Sequence, residues 1–191
     1  GCTLSHLAVI REAIESAPPE IEHLAVFEDD ILWRPGLDIA AILAKPIHTA
    51  FDILVLAYPP WFIDFKHYIN LPKDPQLMRV DGGNLGWTAG YIVHRRFWPI
   101  LHQHWTSTLL TSHVDVSWRQ LMPKHVFLCY TPVLGNQAYF KSDINPTDSK
   151  KGWHDDPNFA FVGKPNHVMF PLNRLFPMST SDDHSFDFII K

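Results

Sequence analysis

The stretch HLAVFEDDILWRPG, residues 23–36, joins an apolar run directly to three consecutive acids. Leu24, Ala25, Val26 and Phe27 carry no polar alternation, so they read as a short strand covered on both faces. A strand of that kind does not end in Glu28-Asp29-Asp30 unless something compensates the charge. On an extended chain residues two apart point the same way, so Glu28 and Asp30 are expected to share a face with Asp29 opposite. Arg34-Pro35-Gly36 then turns the chain.

Working outward, Leu4, Leu7, Ala8, Ile10 and Ile14 form a helical stripe between Thr3 and Ser16. Thr3 is the expected cap and Pro18-Pro19 the stop. After the acids, residues 37–44 predict a short helix ended by Lys45-Pro46, and FDILVLA, residues 51–57, predicts a second buried strand. Helix, strand, helix, strand implies a parallel α/β sheet with helices on its faces. Residues 58–79 carry four prolines and several aromatics and read as a long loop excursion. GWTAGYIVH, residues 86–94, predicts a strand, residues 95–104 a helix with Pro99 in its first turn, residues 115–121 a short helix and residues 126–130 a strand. Beyond residue 140 the composition is polar and turn-rich.

The chain has 191 residues, enough for one domain with a sizeable core. No run approaches the roughly 18 apolar residues of a membrane helix, so no membrane span is expected. A net charge of −4 and basic residues that never cluster beyond pairs such as Arg95-Arg96 argue against a nucleic-acid partner. Cys2 and Cys129 are too few for a disulfide framework and stand in no recognised zinc-ligand spacing. They read as core thiols, with one mutual disulfide as the alternative. His102 and His104 are two apart on a helix and do not face one another.

Ligands of open α/β sheets bind beyond the carboxyl ends of strands, where Glu28, Asp29 and Asp30 lie. Carboxylates favour a hard divalent ion, Mn²⁺ or Mg²⁺, which keeps positions open for phosphate oxygens. A metal-bound diphosphate is one reading of the trio; a solvated acidic turn capping the next helix is the other. The glycines of DGGNLGWTAGY, residues 81–91, permit close backbone approach to a ligand, and equally meet the demand of a turn for positive φ. Aromatics at 58–68, Trp87 and Trp153 offer sugar-stacking surfaces or cover for the sheet.

GCTLSHLAVIREAI at residues 1–14 followed by FEDD at 27–30 resembles glycosyltransferase family 25, in which a Gly-Cys-x-x-Ser-His helix precedes a strand ending in Glu-Asp-Asp. FDILVLA, TAGYIVHRRFW, HVDVSW and NQAYFKSDI continue in that family's order. The resemblance covers roughly residues 1–145 and implies a GT-A-like, Rossmann-related mixed sheet flanked by helices. It also implies a nucleotide-sugar donor, usually UDP-galactose, an acceptor hydroxyl on a glycan or a protein side chain, and inversion at the anomeric carbon. Residues 146–191 are expected as an irregular extension packed on the same domain. The family pattern has a further strand and nucleotide loop before the Gly-Cys helix, so the catalytic domain is expected to be N-terminally incomplete here.

Residue by residue, the resemblance makes Asp30 the direct metal contact, with Glu28 or Asp29 at a second metal position or on donor hydroxyls. Asp115 in HVDVSW matches a family position and is the candidate base; a helix-capping role is its alternative. Ser5, His6, Gly90 and Tyr91 match positions beside the donor, Ser5 and His6 serving equally to lock the helix to the sheet. Gln137, Ser142 and Asp143 match the last motif. His154, among acids, is a candidate further metal ligand. Two other functions compete: a non-catalytic, transferase-like binding or assembly domain, and a metal-dependent phosphoryl-transfer enzyme, which needs a Lys/Arg clamp that the sequence does not display.

Overall fold

The computed structural model describes residues 2–58, 67–83 and 85–137. The expectations that fall on the aromatics between 59 and 66, on Ser142, Asp143, Trp153 and His154, and on the extension 146–191 lie outside the described residues.

Helix α1 (Cys2–Ser16) buries His6, Leu7, Ile10 and Ala13. Of the expected stripe only Leu7 and Ile10 are buried, while Leu4, Ala8 and Ile14 are exposed, because the buried face is rotated towards His6 and Ala13. Thr3 lies inside the helix rather than capping it. Pro18 and Pro19 end it, and the Arg95 guanidinium closes the exit by donating to the carbonyls of Ala17, Pro18 and Ile21.

The strands that follow are β1 (His23–Phe27), β2 (Ile31–Trp33) and, after the short helix α2 (Ile39–Leu43), β3 (Ile53–Ala57). Asp38 caps α2 by accepting from the Ala41 amide, and Gly36 turns the chain before it with φ +78°. Next come β4 (Tyr68–Asn70), β5 (Leu77–Val80) and β6 (Gly90–His94). A 3-10 turn, Arg95–Phe97, leads into α3 (Trp98–Thr108), with Pro99 in its first turn where its missing N–H costs nothing. Helix α4 (Val114–Ser117), a second 3-10 turn (Trp118–Gln120), β7 (Phe127–Tyr130) and β8 (Gly135–Gln137) complete the described chain.

The sheet is mixed, as the resemblance implied, rather than parallel, as the order of elements implied; its order is β1-β6-β3-β7-β5-β4, with β8 pairing both β3 and β2. Strands β3 and β7 are parallel, but β6 lies between β1 and β3 and runs antiparallel to both. The parallel expectation missed this because an apolar pattern reports burial and not strand direction. Part of the expected loop at 58–79 is also sheet: β4 and β5 form an antiparallel pair that extends the edge beyond β7.

Both faces of the sheet are covered, which explains the unbroken apolar runs. Leu24, Val26, Ile53, Val55, Tyr91 and Val93 pack with α1, α3 and the Trp118 turn. Ala25, Leu54, Leu56 and Ile92 pack on the other side, against Phe51 and the apolar residues of α2. Because alternation places Leu24 and Val26 beneath α1, the next residue of that set, Glu28, is aimed at α1 as well. Both cysteines are free thiols; Cys129 is a core residue as expected, whereas Cys2 is exposed at the start of α1.

Trp118 is fully buried, donates to the Leu85 carbonyl at 3.0 Å and meets the rings of Tyr91 and Phe127 edge-on. Trp118→Ala should lower the unfolding free energy by about 3–5 kcal/mol, read as a lower urea midpoint at unchanged slope. A loss below about 1 kcal/mol would show that this ring does not anchor the helical layer.

Candidate functional site

Four chain segments meet at one end of the sheet: the carboxyl end of β1, the amino end of β6, the first turn of α1 and the first turn of α4. Glu28 joins the first three, and Asp115 of α4 lies within electrostatic reach of Cys2 in the first turn of α1. The Glu28 amide continues the ladder by donating to the Ala89 carbonyl at 2.8 Å, while its side chain turns under α1. There Oε1 accepts from Thr88 Oγ1 at 2.6 Å, from His6 Nε2 at 3.1 Å and from the Cys2 thiol at 3.7 Å.

His6 is buried between Tyr91 and Trp105, and its Nδ1 lies 2.7 Å from the Tyr91 hydroxyl. An ionised carboxylate can only accept, so Nε2 carries a proton towards Glu28, and in the neutral ring the Tyr91 hydroxyl donates to Nδ1. Burial pushes the Glu28 carboxyl up, but the hydrogen bonds from His6 and Thr88, the positive charge that His6 gains on protonation and the Cys2 thiol outweigh it and hold the group below its ordinary value. Burial and the Glu28 charge push the Cys2 thiol up to about 11. A thiol held protonated in this way is a hydrogen-bond donor and a poor nucleophile at neutral pH. Tyr91, wholly buried, is pushed well up by burial first and by Glu28 and Cys2 next.

The remaining acids occupy the turn that follows. Strand β1 ends at Phe27, and the Ile31 amide closes a turn onto the Glu28 carbonyl at 3.2 Å. Asp29 is exposed at this turn; Asp30 is partly buried, with Oδ1 shielded from solvent. The two-residue alternation expected through Asp30 therefore stops one residue after the strand.

Asp115 reaches the same end from the first turn of α4, its Oδ2 3.4 Å from the Trp87 amide. Trp87 has φ +73°, a conformation that a bulky residue adopts only when its surroundings enforce it. Its neighbour Gly86 leaves room for the Arg119 guanidinium, which a Cβ at position 86 would strike. Arg119 Nε is shielded from solvent and has no hydrogen-bond partner among the described residues. This places a cation beside Asp115, where the sequence displayed no clamp.

Of the other expected residues, Ser5 is exposed on α1. Gly90 is buried, and the space a side chain would take is filled by Ile31, with Phe27 and Ala57 close behind. Gln137 ends β8, where its backbone pairs with Ile31 just after the acidic turn. Gly82 and Gly83 face the His67 ring, and Gly83 has φ +81°. His154 lies outside the described residues. Sequence reasoning passed over Cys2 and Thr88; the signal for Cys2 was its spacing of four residues from His6 on a helix, which puts both side chains on one face.

For a hard cation the donor set is the acidic turn. Mg²⁺ or Mn²⁺ bound with a diphosphate needs only one or two protein carboxylates, and Asp29 and Asp30 are the residues that would supply them. Cys2, His6 and Glu28 form a group of three ligand atoms within 4.8 Å of one another, the one such group among the described residues. No described helix is long and apolar enough to cross a membrane. No protein-family model, curated protein or solved structure matches the chain.

Glu28, held below its ordinary value of 4.5, contributes stability that is present above that value and lost as pH falls through its folded value. Thr88→Val should therefore cost about 1.5–3 kcal/mol at pH 7. The gap from wild type should narrow below pH 4.5, where protonation removes the charge that Thr88 stabilises. A gap independent of pH would mean that Thr88 stabilises the fold without stabilising the ionised carboxylate.

Proposed function

We propose that this chain is the catalytic part of a metal-dependent inverting glycosyltransferase of GT-A type, moving a sugar, galactose first among candidates, from a UDP-sugar to a hydroxyl of a glycan or a hydroxylated side chain. The observation that carries the reading is that Glu28, just after the carboxyl end of β1, and Asp115, in the first turn of α4, both lie within electrostatic reach of the Cys2 thiol. The motif order in the sequence, from the Gly-Cys helix to HVDVSW, points the same way.

In this reading Asp30 holds the cation and Asp29, in water, meets donor hydroxyls. A bound Mn²⁺ or Mg²⁺ supplies Lewis-acid neutralisation of the charge that develops on the departing diphosphate. Asp115 takes the proton of the acceptor hydroxyl as the sugar carbon is attacked from the face opposite the leaving group. Glu28 fixes the turn rather than meeting substrate, since three protein donors converge on its Oε1. That same saturation favours the alternative reading, a non-catalytic transferase-like binding or assembly domain in which the acid serves the fold.

Titration of UDP by calorimetry separates the two: binding in Mn²⁺ and none in EDTA is expected, and Asp30→Asn should abolish the Mn²⁺-dependent heat while leaving the melting transition in place. Absence of UDP binding in the folded protein would favour the alternative. Asp115→Asn should bind UDP normally yet slow transfer, or the hydrolysis of UDP-sugar that substitutes for it, by about 10²–10⁴-fold. His113, not Asp115, holds the cap position of α4, so a rate near that of wild type would leave Asp115 as a residue that serves the fold through the Trp87 amide.

A further inference from the structure

We propose that Cys2, His6 and Glu28 form a binding site for a borderline-soft divalent cation of the Zn²⁺ class, distinct from the hard-cation turn at Asp29 and Asp30. The proposal does not rest on the glycosyl-transfer reading.

Three features of the molecule carry it. The first is spacing. Zn²⁺ takes sulfur at about 2.3 Å and nitrogen or oxygen at about 2.0–2.2 Å, so tetrahedral ligands stand about 3.3–3.6 Å apart. The Cys2 Sγ to Glu28 Oε1 separation is 3.7 Å and the His6 Nε2 to Oε1 separation is 3.1 Å, with all three atoms inside 4.8 Å. The second is support around the ligands. The non-ligating nitrogen of His6 meets the buried Tyr91 hydroxyl at 2.7 Å, and Thr88 holds Glu28 at 2.6 Å. Partners of this kind orient metal-binding imidazole and carboxylate groups. The third is access: His6 is buried and fixed, whereas Cys2 is exposed in the first turn of α1 and can close on an ion from the solvent side.

Loading the site is a proton exchange. The Cys2 thiol releases its proton to solvent, and the His6 proton moves from Nε2 to Nδ1, where the Tyr91 hydroxyl turns from donor to acceptor. Affinity then rises with pH, as for any site whose ligands must shed protons. The thiolate selects against Mg²⁺ and Mn²⁺, which prefer oxygen.

The test uses the full chain, untagged, reduced and stripped of metal, with Co²⁺ as the probe. One equivalent of Co²⁺ should produce a thiolate-to-cobalt charge-transfer band with the visible bands of a tetrahedral ion. Zn²⁺ should bleach both, and excess Mg²⁺ should not. Cys2→Ser should remove the charge-transfer band, and Cys129→Ser should keep it. Tyr91→Phe should keep the band while weakening Co²⁺ binding by about 10–100-fold. A wild-type protein that gives no charge-transfer band, or a band that survives Cys2→Ser, would overturn the proposal. Because Cys2 is exposed, its replacement leaves the core intact, and a melting transition matched to wild type confirms that a lost band reports ligation.

Discussion

A single carboxylate, Glu28, holds the acidic end of this molecule together. Its backbone belongs to the sheet and its side chain belongs to the helical layer, so the group ties β1 to α1, to the residues before β6 and, through His6, to the buried Tyr91. An acid so placed is costly unless its charge is met, and His6, Thr88 and Cys2 meet it at one oxygen. The three donors come from two segments distant in sequence from Glu28, so the turn that follows, with Asp29 and Asp30, is positioned only once the tertiary structure has formed.

The sheet provides the rigid frame for that arrangement. Its central strands are buried on both faces, and the Trp118, Trp105 and Trp98 rings fill the space beneath α1 and α3. At the far end from the site a second polar clip fixes the strand starts: Asp52 accepts from Arg96 at 2.8 Å and from the Val126 amide at 2.9 Å. Burial pushes the Asp52 carboxyl up, but the Val126 amide, Arg96 and His125 hold it below its ordinary value. One end of the sheet is thus locked by a guanidinium pair, and the other by Glu28, with Asp29 exposed beside it.

Backbone strain accompanies the candidate site at the corner formed by Gly86, Trp87, Asp115 and Arg119. Trp87 is held at positive φ, and Gly86 gives way to a guanidinium. Gly90, by contrast, serves the fold: it makes room for Ile31, so its lack of a side chain permits the close packing of β6 on the acidic turn.

The sequence by itself determined which segments are buried and where the chain turns. The runs at 23–27 and 51–57, the proline stop after α1 and the placement of Pro99 in the first turn of α3 follow from local sterics and hydrophobic patterning. It also marked the acids at 28–30 as a charge needing compensation. What only the tertiary structure decided was partnership. The antiparallel insertion of β6, the pairing of β4 with β5 and the β2–β8 contact depend on associations between distant segments, for which an apolar pattern carries no direction. The separation of roles among the three acids was hidden for the same reason. Glu28 turns inward because strand alternation carries it beneath α1, whereas the chain leaves the strand at Asp29, and the donors that fix this choice stand on α1 and before β6.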